Sequence, residues 1–443
     1  MPFDRSIWEP RCRDLIRTHR VPGACLGVLV DGEAHELAVG VLDLVTGAPM
    51  ATDVLFQIAS LTKPFTATLV MQLVGHGLLS LDTPVLDVLP ELRLADPRAA
   101  RQITVRHLLG HTSGIEGGFF PDTGGGDDCL DRYVTACAGL GQCHPVGATV
   151  SYCHSGYVLI GRIVERVTGQ VWDSALRERL LDPLGLRHTV TLPAQTRGLR
   201  LSPGHAGDFD APYVWRLEPP RSAGPGGGIR TTVADLLAFA HAHLHDGAGI
   251  MPCALAAAMR APYAKVPDHW TAEHRGLGWL RYGWGGREVY GHAGHGPGQY
   301  AFLYLVQDRR LAIALLTNGG DSLALRTDLC GALLDELAGL TIPRLVVPPS
   351  PPDVDVVPLT GTYRNILSVV RVEADRNGLR AFPRYASAIA AFQPRRTRLV
   401  PVTRTVFAGH DHAHRDPRAW TFYRLPDGTP HVLVGGSSIP KVG

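Results

Sequence analysis

The chain has no basic run and almost no net charge: 43 lysines and arginines stand against 41 acidic residues over 443 positions, a balance of +2. A nucleic-acid partner is therefore not expected. No apolar run is long enough to cross a bilayer, and the opening Met1-Pro2-Phe3-Asp4-Arg5 lacks the basic and apolar regions of a secretory signal. These absences predict a cytoplasmic protein with no membrane partner. Nor is there a Cys-x-x-Cys pair. The eight cysteines (Cys12, Cys25, Cys129, Cys137, Cys143, Cys153, Cys253 and Cys330) are scattered, so reduced, buried thiols are expected rather than a disulfide framework. Cys129, Cys137, Cys143 and His144 lie close together, but their spacing fits no zinc pattern. Neither a metal nor another cofactor is expected. His410, His412 and His414 would share one face of a strand and read as an exposed polar strand or loop. His241, His243 and His245 do not share a helix face and carry no assignment.

What the chain does have is length enough for a large core and two or three domains. The stretch from Gln57 to Ala67 organises the rest. It runs into an apolar segment ending at Gly75-His76-Gly77, with Leu69, Val70, Leu73 and Val74 at helical spacing. Ser60 and Lys63, three apart, would share one face of that helix. A serine hydroxyl is a poor nucleophile at its free pKa, and a desolvated amine beside it can take its proton. Pro64 fits only where a helix begins. That puts Ser60 at a helix N-terminus, where free N–H groups favour a developing oxyanion. Ser-x-x-Lys alone is a weak signal, because both residues are common.

Elsewhere, residues 6 to 19 read as an amphipathic helix with Ile7, Trp8, Cys12, Leu15 and Ile16 on one side. Ala24 to Val30 and Ala34 to Val41 read as a hairpin turning at Asp31-Gly32. Thr104 caps a helix that leads to Gly110-His111-Thr112-Ser113-Gly114. No strand pattern appears from about residue 80 to 190, which predicts a helical insert. Within it, Val150 to Tyr157 is a polar loop at the mouth of a helix from Val158 to Val167. From Ser222 the pattern returns to α/β: a tight glycine loop at 224–228, a helix capped by Thr232, four apolar strands between 276 and 316, and a closing helix at 323–340. One strand end carries His292-Ala293-Gly294-His295. Tyr213, Trp215, Trp270 and Trp284 fit a substrate cleft and core packing equally well. Six prolines between Ile342 and Pro358 predict a semi-rigid linker. The short alternating stretches beyond Gly361 predict a small β-domain, an open or closed barrel.

Ser60-Leu61-Thr62-Lys63, Tyr152-Cys153-His154 and His292-Ala293-Gly294 come in the order and at the rough spacing of the serine β-lactamase-like family. The chain resembles that family, which holds class C β-lactamases, D,D-peptidases and related esterases and acyltransferases, over about residues 10 to 340. Ile103 to Gly114 and Ser155 to Gly169 resemble its framework. The resemblance implies an α/β, β-lactamase-like fold: an antiparallel sheet flanked by helices plus an all-helical subdomain. The implied organisation is an acyl-enzyme domain at 1–340 with a helical insert at about 80–220, a linker at 341–358, and a small β-barrel-like domain at 359–443.

The resemblance also implies roles. Ser60 would be the nucleophile, with Lys63 and Tyr152 sharing the base role. His292 would orient the substrate or relay a proton through Tyr152. His154, Ala293, Gly294 and His295 would contact substrate, and the backbone N–H groups of Ser60 and His295 would hold the oxyanion. Taken singly, Tyr152 reads as a core tyrosine and His292 as a strand-end histidine; the joint arrangement reverses that. Two departures stand out. His154 replaces the family's usual asparagine and is expected to be neutral beside Lys63, with activity falling below about pH 6.5. His292-Ala293-Gly294 replaces Lys-Thr-Gly and removes the cation that would face a penicillin carboxylate. The expectation is transfer of an acyl group from an ester, thioester or amide to an amine or to water. Such chemistry resembles the penicillin-binding-protein-type thioesterases and transacylases of natural-product biosynthesis. The partners would be a small-molecule or peptidyl acyl donor, an amine acceptor and a carrier protein. The alternatives are a cytosolic esterase or β-lactamase-like hydrolase, and a non-catalytic binding module. Retention of Ser60, Lys63 and Tyr152 together argues against the last.

Overall fold

Asp31 and Gly32 both take positive φ, 53° and 82°, as a two-residue hairpin turn requires. They join β1 (Gly23–Val30) to β2 (Glu33–Gly40) at the edge of the main sheet. The structure is a computed structural model and describes residues 3–209, 211–215, 218–268, 270, 272–376, 378–386, 396–410 and 416–443. Four short strands follow the hairpin: β3 (Phe56–Gln57), β4 (Gly204–Asp208), β5 (Ala211–Trp215) and β6 (Arg230–Thr231). β3 pairs with β6 and β4 with β5, in two small sheets. The rest of the main sheet comes late in the chain, as β7 (Ala264–Lys265), β8 (His274–Arg275), β9 (Leu280–Tyr282), β10 (Val289–Gly296), β11 (Gln299–Val306) and β12 (Leu311–Thr317). Its order is β2-β1-β12-β11-β10-β9-β8-β7, antiparallel throughout.

Every residue of β1 and of β12 is buried, because helices cover both faces of the sheet. On one side lie α1 (Arg5–Thr18) and a closing helix, Ser322–Ala338, sharing a core with Leu26, Val28, Ile313 and Leu315. Trp8, Cys12 and Ile16 carry the buried face of α1. Ile7, expected on that face, is 51 % exposed: it lies one position before Trp8, about 100° away around the helix. On the other side lie α2 (Thr62–Gly75) and a helix at Val233–Leu244, in a core with Cys25, Leu29, Ala314 and Leu316. Between residues 80 and 190 the described structure is helix, turn and loop without strands. The β4–β5 hairpin falls inside the stretch to 220 that was expected to be helical. Its strands are short and glycine- and alanine-bearing, so they leave little period-two signal.

Residues 343–356 carry no helix or strand. Beyond them, β13 (Gly361–Arg364), β14 (Ser368–Asp375), β15 (Gly378–Tyr385), β16 (Thr397–Pro401), β17 (Val406–His410), β18 (Arg418–Arg424), β19 (Pro430–Val434) and β20 (Ser437–Pro440) form an antiparallel meander in sequence order. A bridge from Tyr363 to Lys441 nearly closes it into a barrel around Tyr363, Phe407, Phe422 and Val432. His410 ends β17, while His412 and His414 lie outside the described residues. All eight cysteines are free thiols, seven of them buried. Among the described residues no helix is long and apolar enough to cross a membrane.

Candidate active site

Ala59 takes φ +45°, a left-handed conformation that costs energy for any residue with a Cβ. It opens a 3-10 turn, Ala59–Leu61, that precedes α2. Ser60 therefore sits on the tight turn before the helix rather than within its first turn, and Pro64 is the helix's third residue. Every side chain from Thr62 to Leu73 is buried. The reason lies in a glycine-rich turn, Gly224–Gly227, packed against the helix. Its carbonyls take two of the polar groups that α2 buries: Thr66 Oγ1 donates to Pro225 O and Lys63 Nζ to Gly226 O, each at 2.7 Å. A Cβ on Gly226 would sit 2.6 Å from the His154 ring, so only glycine fits.

Lys63 Nζ also donates to Ser60 Oγ at 3.3 Å, and Ser60 Oγ lies 2.5 Å from Tyr152 Oη. The ammonium position is 4.7 Å from the Tyr152 ring and 5.5 Å from the Tyr157 ring. Burial pulls the Lys63 pKa below the ordinary lysine value; the neighbouring Tyr152 opposes the shift and Arg275 adds to it. A lysine so placed gives up its proton more readily, as a base requires.

Tyr152 is fixed by its neighbours. Ser151 N–H donates to His111 O at 2.9 Å, and Cys153 N–H to His111 Nδ1 at 3.0 Å. That bond leaves the His111 proton on Nε2. The His111 ring lies 4.9 Å from that of Tyr152. The amide of Tyr152 itself donates to Gly436 O, in the β19–β20 turn of the barrel, at 2.8 Å. The same seam continues through Ser438 N–H to Ser151 Oγ at 3.1 Å and Tyr423 Oη to Thr149 Oγ1 at 3.2 Å. Nearby, a Cβ on Gly118 would collide with Leu367 of the β13–β14 turn at 1.8 Å. The barrel thus closes on the loop that carries Tyr152.

The third segment arrives on β10. A Cβ on Gly294 would fall 1.8 Å from Ile58 O, so the strand lies directly against the turn carrying Ser60. His292 is buried, and its Nδ1 donates to Ala293 O at 2.7 Å, leaving a lone pair on the buried, unpartnered Nε2. Burial, then Arg275 and Lys63, push its pKa well below 6.5. His295 is exposed, its ring beside Tyr300. His154 opens the helix His154–Thr168, its ring 4.6 Å from Phe120. Lys63 bonds Gly226 O rather than His154. Burial and then Lys63 push the His154 pKa well below 6.5, which favours the neutral ring.

Ser60, Lys63, Tyr152, His154 and His292 thus converge, with Ala293 and Gly294 bringing strand backbone to the serine. Sequence reasoning passed over His111, Gly226, Arg275 and Gly436. The first two lay in phrases already noted, the His-Thr-Ser-Gly run and the glycine cluster; the others carried no local signal. Trp284 stacks on Tyr282 in the core at 4.4 Å. Burial raises the Cys129, Cys137 and Cys143 thiols to about 11, 12 and 12, so they stay protonated.

Over residues 9–334 the chain matches the family model described as Beta-lactamase. It is 48 % identical over 375 residues to Penicillin-binding protein 4 of Amycolatopsis lactamdurans, covering 82 % of this chain and 98 % of that protein. It is 32 % identical over 303 residues to Esterase EstB of Burkholderia gladioli, covering 60 % of this chain and 75 % of the esterase. The crystal structure of SurE with D-Leu aligns with it at a TM-score of 0.80 and 29 % identity, over 99 % of each chain.

Proposed function

The chain belongs to the beta-lactamase family of serine hydrolases, esterases and penicillin-binding proteins, and from that premise we propose that it is an acyl-enzyme catalyst that delivers its acyl group to an amine. The observation that carries the reading is the hydrogen-bonded cluster of half-buried Ser60 Oγ and Tyr152 Oη with buried Lys63 Nζ. Ser60 Oγ attacks the donor carbonyl, and its proton passes to neutral Lys63, directly or across Tyr152. The backbone N–H groups of Ser60 and His295 stabilise the oxyanion. The bond to the leaving oxygen, sulfur or nitrogen then breaks, and that atom departs with the proton. An amine attacks the resulting ester, gives its proton to the same base, and Ser60 Oγ recovers one as it leaves. His154 and His292, held neutral, place donor and acceptor without adding charge beside Lys63.

The donor is a small-molecule or peptidyl ester, thioester or amide, free or on a carrier protein. Two features support an amine as acceptor. The barrel is hydrogen-bonded to the loop of Tyr152, a surface beside the nucleophile on which an acceptor can be held, and the structural relative SurE was crystallised with D-Leu, an amino acid. Orientation of a bound nucleophile is worth about 7–11 kcal/mol of barrier, enough to outweigh water's concentration. The test is intact-mass spectrometry with an activated ester, followed by partition of the acyl-enzyme among amines. One adduct, absent in Ser60→Ala, and amide product at millimolar amine are expected. Labelling that survives in Ser60→Ala refutes the nucleophile. Free acid as the sole product with every amine establishes a hydrolase instead.

A further inference from the structure

Among the described residues, the non-glycine residues at positive φ are Arg20, Asp31, Ala59, His111, Asp246 and Arg310. Arg20, Asp31, Asp246 and Arg310 are exposed. The other two are half-buried Ala59, next to the nucleophile, and His111, at φ +60° and 2 % exposure. His111 follows Gly110, which ends the short helix Val105–Leu109. Its N–H donates to Leu108 O at 3.4 Å, and the Thr112 N–H to His107 O at 2.9 Å. That pair of bonds is the left-handed helix ending usually given to glycine. Here a histidine holds it, at a cost in backbone strain.

The side chain shows what that strain supports. His111 accepts the amides on both sides of Tyr152, that of Ser151 at its carbonyl and that of Cys153 at Nδ1. The amide between them, that of Tyr152 itself, is held by the barrel at Gly436 O. Glycine at 111 would keep the carbonyl bond and lose the Nδ1 bond. Tyr157 Oη donates to Leu109 O at 3.0 Å, and its ring lies 5.2 Å from the imidazole. The segment is thereby tied to the helix that His154 opens. An accepting Nδ1 needs a neutral ring. Burial, then Arg275, Lys63, His292 and His154, favour that form.

We propose that His111 is a positioning residue for Tyr152: its Nδ1, accepting from Cys153 N–H, sets how Tyr152 Oη meets Ser60 Oγ. The strained backbone is retained because glycine, which would relieve it, offers no side-chain acceptor. His111 acts through Tyr152 rather than on substrate. The proposal deepens, and rests on, the acyl-enzyme reading.

Two variants separate the acceptor from the backbone. His111→Asn and His111→Gly both tolerate positive φ and both lose the ring, but only asparagine keeps an acceptor at the δ1 position. With an activated ester, His111→Gly should lose between about 10- and 100-fold in kcat for acylation of Ser60, with KM little changed. His111→Asn should recover most of that loss. Melting midpoints recorded in parallel report the packing loss, which the two variants share. Wild-type kcat in His111→Gly, or equal losses in the two variants, overturns the proposal. A cycle with Tyr152→Phe tests the route. Without the phenol hydroxyl, His111→Gly should bring little further loss, within about twofold. A further loss as large as in the wild-type background overturns action through Tyr152. No acylation of Ser60 in the wild-type chain would be a different result: it would sink the acyl-enzyme reading, and the proposal with it.

Discussion

Replacing Ser438 by alanine tests whether the barrel positions Tyr152 or merely covers it. Ser438 is fully buried, and its Oγ lies 2.6 Å from Tyr423 Oη and 2.8 Å from His431 Nδ1. Tyr423 keeps Thr149 as a partner. His431, 1 % exposed and with Nε2 already unpartnered, loses its remaining bond. Leaving one such group unsatisfied costs about 1–3 kcal/mol, paid at the strand beside the Gly436 turn that accepts the Tyr152 amide. A displacement of about 1 Å at a catalytic group can cost about 100-fold in rate. Acylation of Ser60 by an activated ester should therefore lose rate in kcat, by between about 10- and 100-fold, with KM little changed. Thermal unfolding, recorded in parallel, reports the stability loss separately. A lowered melting midpoint with wild-type kcat would refute the reasoning: the seam would stabilise the barrel without placing Tyr152.

Gly294→Ala should push β10 off the turn of Ser60, since its Cβ would meet Ile58 O at 1.8 Å; acylation should fall by about 100-fold, and wild-type rates would show the contact to be slack. Gly118→Ala should destabilise the chain through Leu367, and Leu367→Ala should restore stability in the double variant; additive losses would mean the two do not touch. Burial, then Arg260, push His243 down to about 3, whereas an unfolded histidine titrates near about 6.5. Below that value the unfolded chain binds a proton the folded chain refuses, so stability falls with acid until about pH 3. His243→Gln should flatten the urea-measured slope by about 1.4 kcal/mol per pH unit between about pH 6 and about pH 4; an unchanged slope would place the proton uptake elsewhere. Because His154 stays neutral well below 6.5, His154→Asn should leave the acid limb of kcat/KM where it is, and a moved limb would show that His154 titrates in the working range.

Local chemistry was enough for much of the architecture. The Asp31-Gly32 turn, the Thr232 cap, whose side chain accepts from Asp235 N–H, and the glycine at 169 with φ +71° each act within a few residues, and such signals survive in any tertiary setting. Spacing also marked Ser60, Lys63, Tyr152 and His292, because the order of three motifs is a property of the chain. What spacing could not supply is burial and partnership. Leu26 faces Leu315 across the sheet, and nothing near either residue announces it. The Lys63 pKa falls below the ordinary lysine value only because α2 is enclosed on every side. His154 loses its ordinary titration for the same reason. Arg275 reads in sequence like any surface arginine. Only the packing of β8 under the barrel removes its water, since desolvation depends on what surrounds a group in space rather than on what precedes it in the chain.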